Sequence, residues 1–138
     1  MLPDINVWLA MAFEAHAHHR AAARWFNAAT DACWCRNTQM GFLRLASNAA
    51  VFGPDTLTLE GAWAVFDELC SDGRVTFLAE PPGIESVWRS YTSTRTYSPK
   101  VWNDAYLAAF GRRAGCPVVT FDSGLATFEG TDVRVLTT

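Results

Sequence analysis

The sequence predicts an α/β fold built on a mostly parallel sheet. Short apolar runs bounded by turn residues read as buried strands, and between them lie longer stretches with apolar residues at helical spacing. The two kinds of segment alternate along the 138 residues, as they do when strands run parallel and helices carry the chain back across the sheet. Residues 1–5 read as a first strand, and 6–13 as a helix that begins directly after Asp4. The alanine-rich stretch 17–29 has helical spacing, and DACWCRN (31–37) reads as a short strand. Thr38 is placed to N-cap a helix running through Leu45 and Ala46. Pro54 and Asp55 mark a turn, and Thr58 is placed to N-cap a helix over 59–71, closed by SDG at 71–73. VTFLAE (75–80) reads as a strand stopped by PPG, residues 84–94 as a helix, and the polar segment 92–100 as a loop. A helix over 103–114 ends at Gly115, PVVTF (117–121) is a buried strand running into the turn DSG, and VRVLT (133–137) is a last strand.

Composition narrows the possibilities. Half of the residues are hydrophobic and 18% are charged, as in a compact domain with a sizeable core. No repeat, low-complexity tract or linker divides the chain, so one domain spanning 1–138 is expected. The net charge of -3 gives no global attraction to nucleic acid, so any such binding rests on local arginines or on a metal. Asp4 and Glu14 interrupt the apolar start, which argues against a signal peptide. No run approaches the about 18 apolar residues of a membrane helix, so a cytoplasmic protein without membrane contact is expected. The cysteines Cys33, Cys35, Cys70 and Cys116 contain no C-x-x-C pair and read as reduced, mostly buried residues, with Cys33 and Cys35 expected on opposite faces of a strand.

Three aspartates carry the chemistry. In a parallel α/β sheet ligands bind beyond the carboxyl ends of the strands, where Asp4 follows the first strand and Asp122 follows PVVTF. Asp104 lies in the first turn of the helix before PVVTF, at the edge to which the loop 92–100 returns. Taken singly, Asp104 suits a helix N-terminus and Asp122 suits a turn. Asp4, set among apolar residues, has no such ordinary explanation. Three carboxylates at one rim repel one another unless protons or a cation neutralise them, and hard oxygen ligands suit Mg²⁺ or Mn²⁺.

At these residues the sequence resembles the PIN-domain ribonucleases, in particular the VapC-type toxins of bacterial toxin–antitoxin modules. MLPDINVWLA is similar to the opening strand, aspartate and helix of that family, and NDAYLAAFGRRAGCPVVTFDSGL (103–125) to its most characteristic block. HAHHRAAARWF (16–26) and TQMGFLRLASN (38–48) resemble one VapC subgroup. The resemblance implies a three-layer α/β/α sandwich around a parallel sheet, Mg²⁺- or Mn²⁺-dependent endoribonuclease activity, an inhibitory antitoxin partner and a homodimer. It maps Asp4, Asp104 and Asp122 onto three acidic positions that bind the metal. A fourth acid, usually glutamate, falls in the helix around 38–46. Gly41 stands there instead, with Gln39 the nearest polar group, and this puts a second metal in question.

Around the three aspartates, Asn6, Gln39, Thr120 and Ser123 are candidates to hydrogen-bond a ligand or its water. Arg95 and Lys100, in the loop leading to Asp104, are candidates for RNA phosphates, with Arg44, Arg112 and Arg113 behind them. Tyr97 and Trp102 frame the same loop and could stack on bases, with core packing the alternative for Trp102. His16, His18 and His19 lack a carboxylate or thiolate at clear ligand spacing and are read as structural. Trp25, Phe26, Phe42, Leu43, Trp63 and Phe66 are read as core, with a groove for an antitoxin helix as the alternative. Two other functions compete. One is a catalytically weak protein of the same fold that acts by binding RNA. The other is a phosphatase with an aspartate nucleophile, in which a second aspartate commonly stands two residues after the first, where this chain has Asn6.

Overall fold

A computed structural model describes all residues from Met1 to Thr138. The chain runs β1 (Leu2–Pro3), α1 (Ile5–Ala12), α2 (His19–Ala28), β2 (Ala32–Trp34), α3 (Arg36–Ala46), α4 (Ala49–Phe52), α5 (Leu59–Cys70), β3 (Val75–Phe77), α6 (Ile84–Thr92), α7 (Val101–Ala114), β4 (Val118–Thr120) and β5 (Val133–Val135). Short 3₁₀ turns cover Gly53–Asp55 and Ser123–Thr127. All strand pairs are parallel, as expected: β1 pairs with β4, β4 with β5, and β2 with β3. The two ladders meet where the Cys33 N–H donates to the Met1 carbonyl at 2.9 Å. The strand order in space is therefore β3-β2-β1-β4-β5. It reverses direction between β1 and β4, the kind of switch point where α/β sheets open a ligand crevice.

Helices cover both faces. On one, α6 and α7 pack Ile84, Tyr91, Leu107 and Phe110 against Leu2, Cys33, Cys35 and Val118. On the other, α1, α3 and α5 pack Trp8, Phe42 and Phe66 against Ala32 and Trp34. Trp8 and Trp34 stack with ring centroids 3.9 Å apart and planes 9° from parallel. Such a pair contributes about 0.5–1.5 kcal/mol beyond its area burial. This three-layer α/β/α arrangement is the expected fold class.

Several expectations are corrected. Cys33 and Cys35 share one face of β2 while Trp34 takes the other, because strand side chains alternate with a period of two. Thr38 is not the N-cap of α3. Cys35 caps it, and the Thr38 hydroxyl accepts the Cys35 N–H at 3.0 Å from the third helical position. The strand before it is accordingly only three residues long. Helix α7 starts at Val101 because the Lys100 carbonyl accepts the Asp104 N–H at 2.9 Å, and it ends at Gly115, whose φ of 67° is left-handed. Phe42 and Phe66 are core as expected, whereas Trp63 and Trp102 are 49% and 59% exposed.

Candidate metal and phosphate site

The first strand delivers Asp4 to the switch point. Its backbone is still extended, and its side chain caps α1 by accepting the Val7 N–H at 3.0 Å. The second carboxylate oxygen accepts the Thr120 hydroxyl, which projects from the end of β4. The same Thr120 hydroxyl accepts the Asp122 N–H at 2.9 Å. Asp122 opens the 3₁₀ turn, with one oxygen accepting the Gly124 N–H at 2.8 Å and the other the Lys100 ammonium at 2.8 Å. Asp104 stands in the first turn of α7. Asp4, Asp104 and Asp122 line a single cavity of about 420 Å³ with Asn6, Lys100 and Asn103.

The electrostatics are those of crowded carboxylates. Burial pushes the Asp4 carboxyl above its usual range, against the hydrogen bond from Thr120 and those from the Val7 and Asn6 amides. Asp104 is also raised, by burial and then by the charges of Asp122 and Asp4, with Lys100 opposing. Asp122 moves down, held by Lys100 and the Gly124 amide. The Lys100 ammonium is raised in turn, mainly by its bond to Asp122 and then by the charges of Asp104 and Asp4. One ammonium thus faces all three carboxylates.

The sequence leads one to expect Asp4 and Asp104 to ligate an ion directly, and Asp122 directly or through water. The structure brings them to one cavity but not to one coordination sphere: no three acidic, imidazole or thiol groups stand close enough to ligate a common ion directly. The donor set still fits a hard divalent cation. It is all oxygen, two of its members resist ionisation where they stand, and it already draws in the Lys100 ammonium beside it.

The remaining candidates divide. Asn6 and Lys100 line the cavity, and Thr120 stands directly behind it. Gln39 does not reach it; it is buried, and its amide oxygen accepts from Arg36. Ser123 is exposed outside the lining. Arg95 lies over the Phe128 ring at 3.8 Å and donates to Thr127, away from the cavity. Tyr97 is exposed outside it, while Trp102 is on its wall. Of the histidines, His19 bonds the Ala10 carbonyl and His18 stacks on Phe121, both structural contacts.

The place of the fourth acid has a physical explanation. A Cβ built on Gly41 would meet the Ile5 Cδ1 at 2.1 Å, so Ile5 fills the space that a side chain on Gly41 would need. Ile5 itself lines the cavity, and from α3 it is Arg44 and Leu45 that reach the wall. Here α3 offers a guanidinium, not a carboxylate. Asn103 and Ile5 were missed by sequence reasoning. Their signal was position alone: one residue before Asp104 and one after Asp4.

Comparison with known proteins agrees with this geometry. The PIN domain family matches residues 1–130. The chain is 40% identical to Ribonuclease VapC41 of Mycobacterium tuberculosis over 143 residues, covering 99% of this chain and 98% of that protein. Among solved structures it is similar to the M. tuberculosis toxin VapC20, described as cleaving the sarcin–ricin loop. The TM-score is 0.67 at 18% identity, over 94% of this chain and 97% of that one. It is also similar to VapBC2 of Rickettsia felis, solved bound to a DNA fragment from its promoter, with a TM-score of 0.70 at 6% identity over 99% and 98% of the two chains. Aspartates at the ends of β1 and β4 and at the start of α7, on adjoining three- and two-stranded parallel sheets, with full-length similarity to a VapC ribonuclease, place this chain in the PIN-domain family as a VapC-type member.

Proposed function

We propose that the chain is the toxin of a toxin–antitoxin pair and hydrolyses RNA phosphodiester bonds with a divalent cation, Mg²⁺ or Mn²⁺, held by Asp4, Asp104 and Asp122. The observation that carries the reading is the shared cavity in which these three carboxylates face one another around Lys100. VapC41 is a ribonuclease by name, and VapC20 is a toxin that cuts RNA. When bound, the cation supplies Lewis-acid activation of water and of a phosphate oxygen. Asp4 and Asp104 would hold it, and Asp122 would reach it through a water of its shell. Thr120 keeps Asp4 and Asp122 in register by bonding both. Lys100, once released from Asp122, can meet a phosphate, as can Arg44 across the cavity, and Trp102 offers an exposed ring at the rim for a base.

The partner is proposed to be an antitoxin. An apolar groove of about 440 Å³ lined by Met11, Phe26, Val65 and Leu69 suits a helix of such a partner, and the exposed Trp63 lies on the same α5. Homodimer formation and a cytoplasmic location are part of the same proposal. No helix is long and apolar enough to cross a membrane.

Cleavage of a single-stranded RNA panel in Mg²⁺ and in Mn²⁺ tests the reading. Activity should vanish in excess EDTA and fall at least about 100-fold in Asp104→Asn. Undiminished cleavage in EDTA would overturn the mechanism. Tight RNA binding without cleavage in either metal would replace it by the binding function, which the hydrocarbon of Ile5 in place of a fourth acid favours.

A further inference from the structure

The helix that brings no acid to the cavity brings an arginine, one turn further on. Gly41 and Arg44 stand three residues apart on α3 and so share a face of it. At Gly41 that face is closed, because Ile5 lies against it, with its Cγ1 2.8 Å from where a Cβ would stand. At Arg44 it opens: the residue is exposed and lines the acidic cavity with Asp4, Asp104, Asp122 and Lys100. Several polar groups of the lining are already engaged. Lys100 bonds Asp122 at 2.8 Å, Asp4 accepts from Val7 and Thr120, and Asn103 accepts from Asn37 at 2.8 Å. Arg36, on the same helix, is tied to Gln39 and the Phe77 ring, and Arg95, in the loop before α7, to Thr127 and the Phe128 ring. At Arg44 the backbone carbonyl accepts from Ser47, while the guanidinium donates to no protein group and keeps its N–H donors for a ligand.

Within the nuclease reading, we propose that Arg44 takes the part of a second cation. It is the phosphate ligand of a site that holds a single divalent ion, and its guanidinium receives the non-bridging oxygens of the RNA phosphodiester. Charge supports this. Three carboxylates, one ammonium and one guanidinium leave the lining with one net negative charge. A single divalent cation turns it into one positive charge, which a phosphodiester neutralises. A second divalent cation would leave two positive charges unmatched, and α3 has no carboxylate to hold it. The carboxylates come from β1, β4 and α7, and Arg44 from α3, so ion and guanidinium approach the phosphate from different walls. A planar fork of N–H donors matches two phosphate oxygens at once, which an ammonium cannot do. Arg44 also stands in the last turn of α3, where the helix dipole favours any cation, lysine included. The phosphate role alone asks for the fork, and this separates the two roles by experiment.

Two measurements on the full chain test this. Mn²⁺ uptake, read from the electron paramagnetic resonance signal of the free ion, should saturate at about one ion per chain in wild type and in Arg44→Gln. Binding of a fluorescein-labelled single-stranded RNA is followed by anisotropy in EDTA, in the Asp104→Asn background so that no cleavage intervenes. There Arg44→Gln should weaken binding about 10-fold at low salt and lower the slope of log affinity against log salt by about one counterion. Arg44→Lys should restore the slope but leave a loss of about 3-fold or more, because the charge returns without the fork. Arg24→Gln, an exposed arginine of α2 outside the cavity, should change neither. Two Mn²⁺ ions per chain would overturn the proposal, as would unchanged affinity and slope in Arg44→Gln, full recovery in Arg44→Lys, or an equal loss in Arg24→Gln. Absence of Mn²⁺ uptake would remove the nuclease reading and the single ion with it, while the salt slope would still decide whether Arg44 holds phosphate.

Discussion

At Thr120 one hydroxyl serves two residues of the acidic cavity, donating to Asp4 and accepting the Asp122 N–H. Being fully buried, it has no water to take over either bond. Thr120→Val keeps the shape but strands a carboxylate oxygen and an amide, at a cost of about 1–3 kcal/mol. Urea unfolding should show that loss, and cleavage should fall about 10–100-fold, the range for groups that orient metal ligands. Thr120→Ser, which keeps the hydroxyl, should recover most of both. At this scale the sequence was only partly legible. Asp4 declared itself as a carboxylate among apolar neighbours, and the block around Asp104 and Asp122 is distinctive. Gln39 misled, because the polarity of a side chain does not say which way its helix turns it. Arg95 misled likewise, since an arginine in a polar loop can as well settle on an aromatic ring such as Phe128.

The contact between α1 and α3 decides what kind of cavity the elements enclose. A glycine inside an exposed helix is usually improved by alanine, by about 0.5–1 kcal/mol. At Gly41 the sign should reverse, because the new Cβ would meet Ile5 within bonding range. Gly41→Ala should lower the denaturant midpoint, and Ile5→Ala combined with Gly41→Ala should cost less than the sum of the two single changes in a double-mutant cycle. Gly41→Glu should not create a fourth metal ligand unless Ile5 is shortened as well. The helices themselves were legible from their periodicity and from the signals at Thr58 and Gly115, while the starts of α3 and α7 were not. Cys35 is no standard cap, and the chain turns into α3 directly from β2 without any glycine or proline to mark the place.

For the whole molecule, the carboxylates set how stability follows pH. Asp4 and Asp104 have folded values above their usual 3.8, so their contribution is fully present below 3.8 and is lost as pH rises through the raised values. Asp122 behaves oppositely: its contribution is present above 3.8 and is lost as pH falls through its lowered value. Without divalent ions, Asp104→Asn should therefore raise the thermal midpoint at pH 7 by a few degrees, with little effect near pH 4. Adding Mn²⁺ should raise the wild-type midpoint more than that of the variant. A calorimetric series at both pH values, with EDTA and with Mn²⁺, reads out both effects. The overall architecture was readable because alternation of strand and helix leaves few parallel topologies. The spatial order of strands was not, since pairing of β2 with β3 and of β4 with β5 is a tertiary matter that no local pattern encodes.

The single amide that joins the two ladders has a mechanical corollary. Asp4, Asp104 and Asp122 all belong to the part built on β1, β4, β5 and α7, while Arg44 comes from α3, which packs on the other part. Across this line the Asn37 amide donates to Asn103 at 2.8 Å, beside the cavity. The crevice is thus walled by carboxylates on one side of that line and by a guanidinium on the other. A polynucleotide strand lying in the crevice therefore meets the acids on one flank and a positive charge on the other.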